Sequence, residues 1–413
     1  MGNKKLHPAI YPNMKSIADA LVQLGHNVIT CDTSQADEVM AAISLLREEK
    51  MVDLSIGFNA LGMRIIIDGE PLDVYADLDV LHISILLDEP FNPACNGYKH
   101  EAKRHLITYL DRTDADYLTQ MQLVEHKAKM FMPLGGTESG LLWEELLERK
   151  KNSSYNVVVS AGKFDLHQRR PVWPEYGLAP AMCKVLDDIV SMLQEYPVSV
   201  VEAARCVLHE RGMEDDCYFS AIAGFFPLIL CYVKSWRRQH LIESLAMEGV
   251  EIDLFGSGWE PDDFQGKVNI HGVVPYADML DVITKAKVVV NDEACFNHGA
   301  HDRVFTSMLN GAVVVSEYSA YLAEEFVDGQ DLFLFDWQNI REQLNVIPRL
   351  LNDDSYWEKV AARAYKKASD KHTWRHRAMR LLEAADLLDF QYKIETGKIH
   401  INDDGCVEWN PSS

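Results

Sequence analysis

Between residues 255 and 335 strand, glycine turn, helix and strand recur in an order that leaves few options other than a parallel α/β sheet. Helical periodicity over residues 238–247 stops at Gly249 and feeds the strand 251–255 (EIDLF). A short strand over 268–271, a helix over 276–286 and a strand over 287–291 follow. The helix 302–310 then halts at Gly311 and leads into the strand 312–316. The runs KVVVN and AVVVS are apolar without alternation, which predicts strands covered on both faces.

The first 145 or so residues carry a weaker form of the same pattern. A helix over 14–24 ends at Gly25 and leads to the β-rich run 26–31; a further helix covers 36–49. Short apolar runs at 52–58, 80–87 and 106–110 read as strands of a second parallel, doubly wound sheet. After a strand over 155–160 the alternation is broken by a long helical insert, about 179–233, rich in Leu, Ala and Glu. Helices over 356–369 and 372–389 follow, and the polar tail suggests a hairpin around Asp403, Asp404 and Gly405. The expected organisation is a first Rossmann-like domain over 1–150, a second over 151–370 that contains the insert, and a closing helix with polar tail over 371–413. The simplest assembly places the two Rossmann-like units around one cleft.

At 413 residues each domain can bury a substantial core. The formal net charge of -23 opposes binding to nucleic-acid phosphates or anionic lipid, so an anionic ligand must meet a local basic pocket. Eight cysteines without a CxxC pair argue against a zinc ribbon or a disulfide framework and fit a reduced, cytoplasmic setting. The N-terminus does not show the charged, apolar and small-residue succession of a signal peptide. The run 221–233 (AIAGFFPLILCYV) is shorter than the roughly 20 residues a membrane span needs and contains Gly224 and Pro227, so it reads as a buried helix.

In an open α/β sheet ligands lie beyond the carboxyl ends of the strands, which directs attention to four turns. Gly256-Ser257-Gly258 lets backbone approach a ligand with no Cβ between them. His271-Gly272-Val273 offers peptide groups to a base edge, with His271 beside it. The segment 292–301 (DEACFNHGAH), with Asn297, His298, Gly299 and His301, runs into a helix whose first turn holds Arg303. Amides at that helix start, its dipole and a guanidinium suit a diphosphate. Phe305 and Thr306 follow on the same helix. Glu317 ends the next strand, where it suits either a sugar hydroxyl or the N-cap of the helix that starts near Ser319. Lys234, Arg237 and Arg238 form a second basic cluster; Arg237 is taken as a further phosphate contact, although the cluster also fits mere decoration of the insert's end.

The run 253–335, with FGSGW, VNIHGVVPYADMLDVITKAKVVVN and HDRVFTSMLNGAVVVSEYSAYLAEEFVDGQDLFLF, resembles the carboxyl-terminal domain of GT-B glycosyltransferases, closest to the group that includes the spore maturation protein CgeB. The later His372-Thr373-Trp374-Arg375-His376-Arg377 is similar to that group's ending, whose last helix crosses back to the first domain. Leu87-Asp88-Glu89-Pro90-Phe91 and Pro133-Leu134-Gly135-Gly136 are similar to stretches of related bacterial enzymes. The resemblance implies a GT-B fold, a nucleotide diphosphate sugar such as a UDP- or GDP-linked one as donor, and an acceptor that is a protein, a saccharide or a small metabolite. Where many relatives carry a glutamate that holds the ribose hydroxyls, this chain has Thr306, whose hydroxyl cannot accept as a carboxylate does.

Departure of a nucleoside diphosphate then calls for cations and a helix terminus, with Arg303 foremost and no obligatory metal or cofactor. The acidic pairs Asp262-Asp263, Asp353-Asp354 and Asp403-Asp404 sit in polar loops or the tail instead of between apolar strands. Asp88 or Glu89 at a strand end suits a general base, with Asp111 a weaker candidate and His298 a further catalytic one; His82 reads as a packed core histidine. Two other readings stand beside this one. A non-catalytic GT-B scaffold is motivated by Thr306. An NAD-dependent dehydrogenase is disfavoured because no GxGxxG with a following acidic residue is present.

Overall fold

The computed structural model describes residues 10–32, 35–48, 52–59, 64–67, 70–74, 80–92, 95, 104–121, 128–153, 155–166, 170–260, 264, 267–293, 295–401 and 407–409. The chain divides into two compact units. The smaller comprises Met14–Tyr109, Tyr117–Met132 and Arg375–Ser413; the larger comprises Met1–Asn13, Leu110–Asp116 and Pro133–Trp374.

In the smaller unit the strands β1 (Ser55–Phe58), β4 (His82–Ile85), β5 (His105–Tyr109) and β6 (Ala128–Phe131) pair in that order, all parallel. A separate antiparallel hairpin joins β2 (Arg64–Ile67) to β3 (Glu70–Asp73). Strands β4 and β5 are buried throughout, and their histidines find hydroxyl partners inside the sheet. His82 Nδ1 meets Ser55 Oγ at 3.1 Å, and His105 Nε2 meets Ser84 Oγ at 2.9 Å. His82 is thus a core histidine. Helix α1 (Ile10–Gln23) precedes α2 (Ala36–Arg47). The run 26–31, expected as a strand, joins no ladder among the described residues, and Ile29 is 69% exposed. An apolar run becomes a strand only when a neighbouring edge supplies hydrogen bonds, and no described residue does so.

The larger unit holds a six-stranded sheet in the order β12 (Phe333–Phe335), β11 (Val313–Glu317), β10 (Val288–Asn291), β7 (Val157–Ser160), β8 (Ile252–Phe255) and β9 (Val268–Gly272), every pair parallel. Read from β7 outward, this is the 3-2-1-4-5-6 order of a Rossmann sheet. Val157, Val159, Val288, Val290, Val313 and Val315 pack one face against Leu241, Ile242, Trp357 and Val360, while Val158 and Val289 join Val282 and Ala286 on the other. Burial on both faces explains the unbroken valine runs.

Helices α3 (Asp114–Gln120) and α4 (Trp143–Lys151) precede β7. The insert after β7 comprises α5 (Pro180–Glu195), α6 (Val200–His209), α7 (Asp216–Ala223) and α8 (Phe226–Met247). The expected break between the insert and a helix at 238 does not exist: α8 is continuous, and its amino-terminal half carries the buried Phe226, Ile229, Leu230 and Val233. No single described helix is long and apolar enough to cross a membrane, and the pair α7 and α8 is bent by 64°. Next come α9 (Tyr276–Lys285), α10 (Asp302–Leu309), α11 (Ala320–Glu325), α12 (Ile340–Leu344), α13 (Val346–Asn352) and α14 (Asp354–Lys371). Helix α15 (Trp374–Glu395) starts in the larger unit and continues in the smaller from Arg375. A terminal antiparallel pair, β13 (Ile399–Ile401) and β14 (Val407–Trp409), flanks the expected hairpin turn, whose residues 402–406 lie outside the described set.

Candidate active site at the sheet's switch point

In the larger unit the strand order reverses between β7 and β10, so the crevice beyond their carboxyl ends is where such a sheet holds a ligand. Two guanidiniums meet there. Arg238, from α8, donates through Nε to Asp292 Oδ2 at 3.0 Å and through Nη1 to the Gly162 carbonyl at 2.6 Å, tying the end of β10 to the end of β7. Arg303, in the first turn of α10, donates through Nη1 to Asn291 Oδ1 at 2.8 Å and stands 3.8 Å from Asp292 Oδ1. Nη2 of Arg238 and both Nε and Nη2 of Arg303 make no hydrogen bond among the described residues, and the two side chains remain 18% and 14% exposed. Unused guanidinium donors of this kind suit an anion.

Asp292 lies behind the pair. Its burial raises the carboxyl pKa, but the Arg238 and Arg303 guanidiniums more than reverse that and hold it at about 2. A folded-state value below the ordinary one means that Asp292 stabilises the fold above about pH 4 and that this contribution vanishes as the pH falls toward 2. It amounts to roughly 2 kcal/mol at neutral pH. Urea unfolding of the wild type and Asp292→Asn at pH 6, 4 and 3 should show a stability gap that narrows with acid; a gap constant over that range removes the ionised pair.

The glycine turn after β8 rests on the β7 loop: Ala161 N donates to Phe255 O at 2.8 Å and Lys163 N to Ser257 O at 2.9 Å. Gly256 has φ +145°, and a Cβ there would stand 2.1 Å from Ala161 O; at Gly258, with φ +82°, it would stand 2.0 Å from Lys163 O. Ser257 and Gly258 are exposed beside Gly162. Lys163 Nζ donates to Gln239 Oε1 at 2.7 Å, and Lys234, one turn before Arg238 on α8, lies 5.7 Å from the Phe296 ring centroid. His271 stacks on Phe255 at 4.4 Å with Nε2 2.7 Å from Asp253 Oδ1, Gly272 O accepts from Gly256 N at 2.8 Å, and Val273 is 74% exposed.

Other expected ligand residues are spent inside the protein. Glu317 and Arg237, fully buried, bind each other: Glu317 Oε1 accepts from Arg237 Nη1 at 2.7 Å, Trp337 Nε1 at 2.8 Å and Asn297 Nδ2 at 3.0 Å, and Oε2 accepts from the Glu293 amide at 3.1 Å. Arg237 also donates to the carbonyls of Leu193 and Tyr196. Burial therefore removes Glu317, Arg237 and Asn297 from ligand contact. Phe305 is a core ring stacked on His372 at 4.5 Å. Thr306 is buried, its Oγ1 accepts from Thr137 N at 3.1 Å, and Tyr276 OH donates to Thr137 Oγ1 at 3.0 Å. Burial raises the Tyr276 phenol to about 12, so it stays a donor.

His298 is tied to the insert, with Nε2 2.6 Å from Glu202 Oε2, a contact that raises its pKa. Its amide donates to Asp111 Oδ2 at 2.7 Å, and Asp111 also accepts from Thr113, so that carboxylate is a buried brace instead of an open base. His301 is the N-cap residue of α10, its Nδ1 3.2 Å from Arg303 N and 2.7 Å from Asp302 Oδ1. Gly299 is close-packed: a Cβ there would stand 1.8 Å from Leu110 O. Gly299→Ala is expected to cost about 2–3 kcal/mol, since backbone must move, and the urea midpoint reads it. No change would mean that the 110–111 segment yields freely.

In the smaller unit Asp88, half-buried after β4, accepts from Asn59 Nδ2 at 3.2 Å, while Glu89 is buried. Asp353 caps α14 through Tyr356 N; Asp262 and Asp263 lie outside the described residues. Reading the sequence passed over Asp292, Asn291 and Tyr276 and left Arg238 undecided. The i, i+4 spacing of Lys234 and Arg238, on one face of α8, was the available signal.

Residues 237–383 match the family described as Glycosyl transferase-like. No curated protein matches the chain significantly. Similar solved structures include the sucrose-phosphate synthase of Thermosynechococcus elongatus, 11% identical at a TM-score of 0.47 over 92% of this chain and 93% of that one. HepE of Anabaena in complex with UDP and glucose is 13% identical at 0.46, over 87% and 84%. AviGT4, a glycosyltransferase involved in avilamycin A biosynthesis, is 13% identical at 0.45, over 91% and 89%. The family match spans α8 from Arg237 onward and five of the six strands of the Rossmann sheet, so the likeness to glycosyl transferases rests on residues 237–383.

Proposed function

We propose that the chain transfers a sugar from a nucleotide diphosphate sugar, held by the larger unit at the β7/β10 switch point, to an acceptor hydroxyl of a protein, saccharide or small metabolite. The carrying observation is the convergence of Arg238 and Arg303 there with unused, partly exposed donors. In transfer the bond from sugar C1 to the diphosphate oxygen breaks and its electron pair stays on that oxygen. The two guanidiniums meet the charge that develops, as preorganised donors in a partly dry site. We assign the leaving-group charge to these arginines, without a metal.

The acceptor oxygen forms the new bond to C1. In an inverting transfer its proton passes to a base. Calorimetric titration with UDP, GDP and dTDP tests the donor site. At least one is expected to bind below millimolar concentration, and binding of none would end the proposal. Release of that nucleoside diphosphate from its sugar conjugates, with and without acceptors, then identifies donor and acceptor.

A further inference from the structure

We infer that Asp292 sets the charge of the arginine pair so that the nucleoside diphosphate left after transfer is released, an inference that rests on the donor-site reading above. Asp292 is 1% exposed, and its Oδ2 is hydrogen-bonded by Arg238. Its Oδ1 is buried and accepts no hydrogen bond among the described residues, although Arg303 Nη1 stands only 3.8 Å away. A carboxylate that served to anchor Arg303 would take two N–H groups side by side. Here the neutral Asn291 Oδ1 holds Arg303, at 2.8 Å, and Asp292 acts on that guanidinium through charge alone. A buried carboxylate oxygen without a donor is unfavourable and calls for an explanation beyond packing.

The chemistry of the product supplies one. The diphosphate of a nucleotide sugar carries two negative charges. When C1 leaves, the freed terminal phosphate gains a second ionisable oxygen and approaches a further charge at neutral pH, with a second pKa of about 6. A purely cationic cradle would hold that product more tightly than the donor. One fixed negative charge behind the guanidiniums weakens both complexes, and the more highly charged product the more. The neighbouring carboxylates are otherwise engaged: Glu293 accepts from Asn291, Ser316 and the His301 amide, and Asp302 lies 2.7 Å from His301 Nδ1.

The test compares wild type, Asp292→Asn, Arg238→Gln and the double variant Arg238→Gln/Asp292→Asn by calorimetry with UDP, GDP and dTDP and with the sugar conjugate of whichever binds. Asp292→Asn should bind the nucleoside diphosphate about tenfold more tightly and gain less for the sugar conjugate. Equal or weaker binding overturns the inference, because a carboxylate that only positioned the arginines would lose affinity on removal. Should Asp292→Asn fail to fold, the double variant decides. Arg238→Gln alone is expected to lose about tenfold or more, and the second substitution should recover most of it; no recovery overturns the inference. Failure of the wild type to bind any of the three is a separate result, which removes the donor site itself.

Discussion

Glu317→Ala should destabilise the larger unit by about 3–5 kcal/mol, because it leaves the Arg237 guanidinium buried without a counter-charge. The same change strips an acceptor from Trp337 Nε1, Asn297 Nδ2 and the Glu293 amide, each of which is enclosed. Against a typical total of 5–15 kcal/mol, the variant approaches the edge of folding. Glu317→Gln retains an acceptor oxygen but not the charge and should fall between it and the wild type. Urea unfolding measures both. A loss under about 1 kcal/mol for Glu317→Ala would mean that water reaches Arg237, and that the pair is a surface contact after all.

Arg303→Ala should behave in the opposite way, with stability changed by about 1 kcal/mol and function changed severely. Among the described residues the side chain makes one hydrogen bond, to the neutral Asn291 Oδ1, and its charge contact with Asp292 at 3.8 Å is shared with Arg238, so only a small part of the fold depends on it. Loss of a charge-assisted contact to a diphosphate should weaken nucleoside diphosphate binding by about 1.5–3 kcal/mol, some 10- to 150-fold. If the same group meets the charge of the departing phosphate, kcat falls by about 10²–10³-fold as well. Arg303→Lys should recover only part of either loss, since an ammonium does not reproduce the planar fork. Calorimetry with UDP, GDP and dTDP and turnover on the matching donor read the two effects separately. Unchanged affinity in a folded Arg303→Ala protein would remove this residue from the site.

The two arginines show what could be read from the chain and what could not. Arg237 and Arg238 are adjacent on α8, and nothing in their local pattern separates them. A helix turns by about 100° per residue, so neighbours face different surroundings. One side chain enters the interior and meets Glu317, while the next reaches the switch point. Glu317 was open to the same confusion. A carboxylate at the end of a strand suits a sugar hydroxyl equally well, and only the fold places Arg237, Asn297 and Trp337 around it. Gly299, expected in the diphosphate-binding segment, instead lies against the Leu110 carbonyl.

The place of Arg303 beside the end of β10 was legible because two local facts coincide, a strand ending at Asn291 and a helix starting at Asp302. Unbroken valine runs and glycine stops made the parallel sheet of the larger unit legible for a similar reason, since burial on both faces and a chain reversal each act within a few residues. The run 26–31 misled because a strand needs an edge as well as apolar side chains. Periodicity and turn chemistry, which are short-range, thus determined the layered α/β class and which turn brings Arg303 to the end of β10. Which cation stays open and which is neutralised is decided by side chains far apart in the chain, because a charge in a low-dielectric interior is governed by whatever the fold brings within a few ångströms of it.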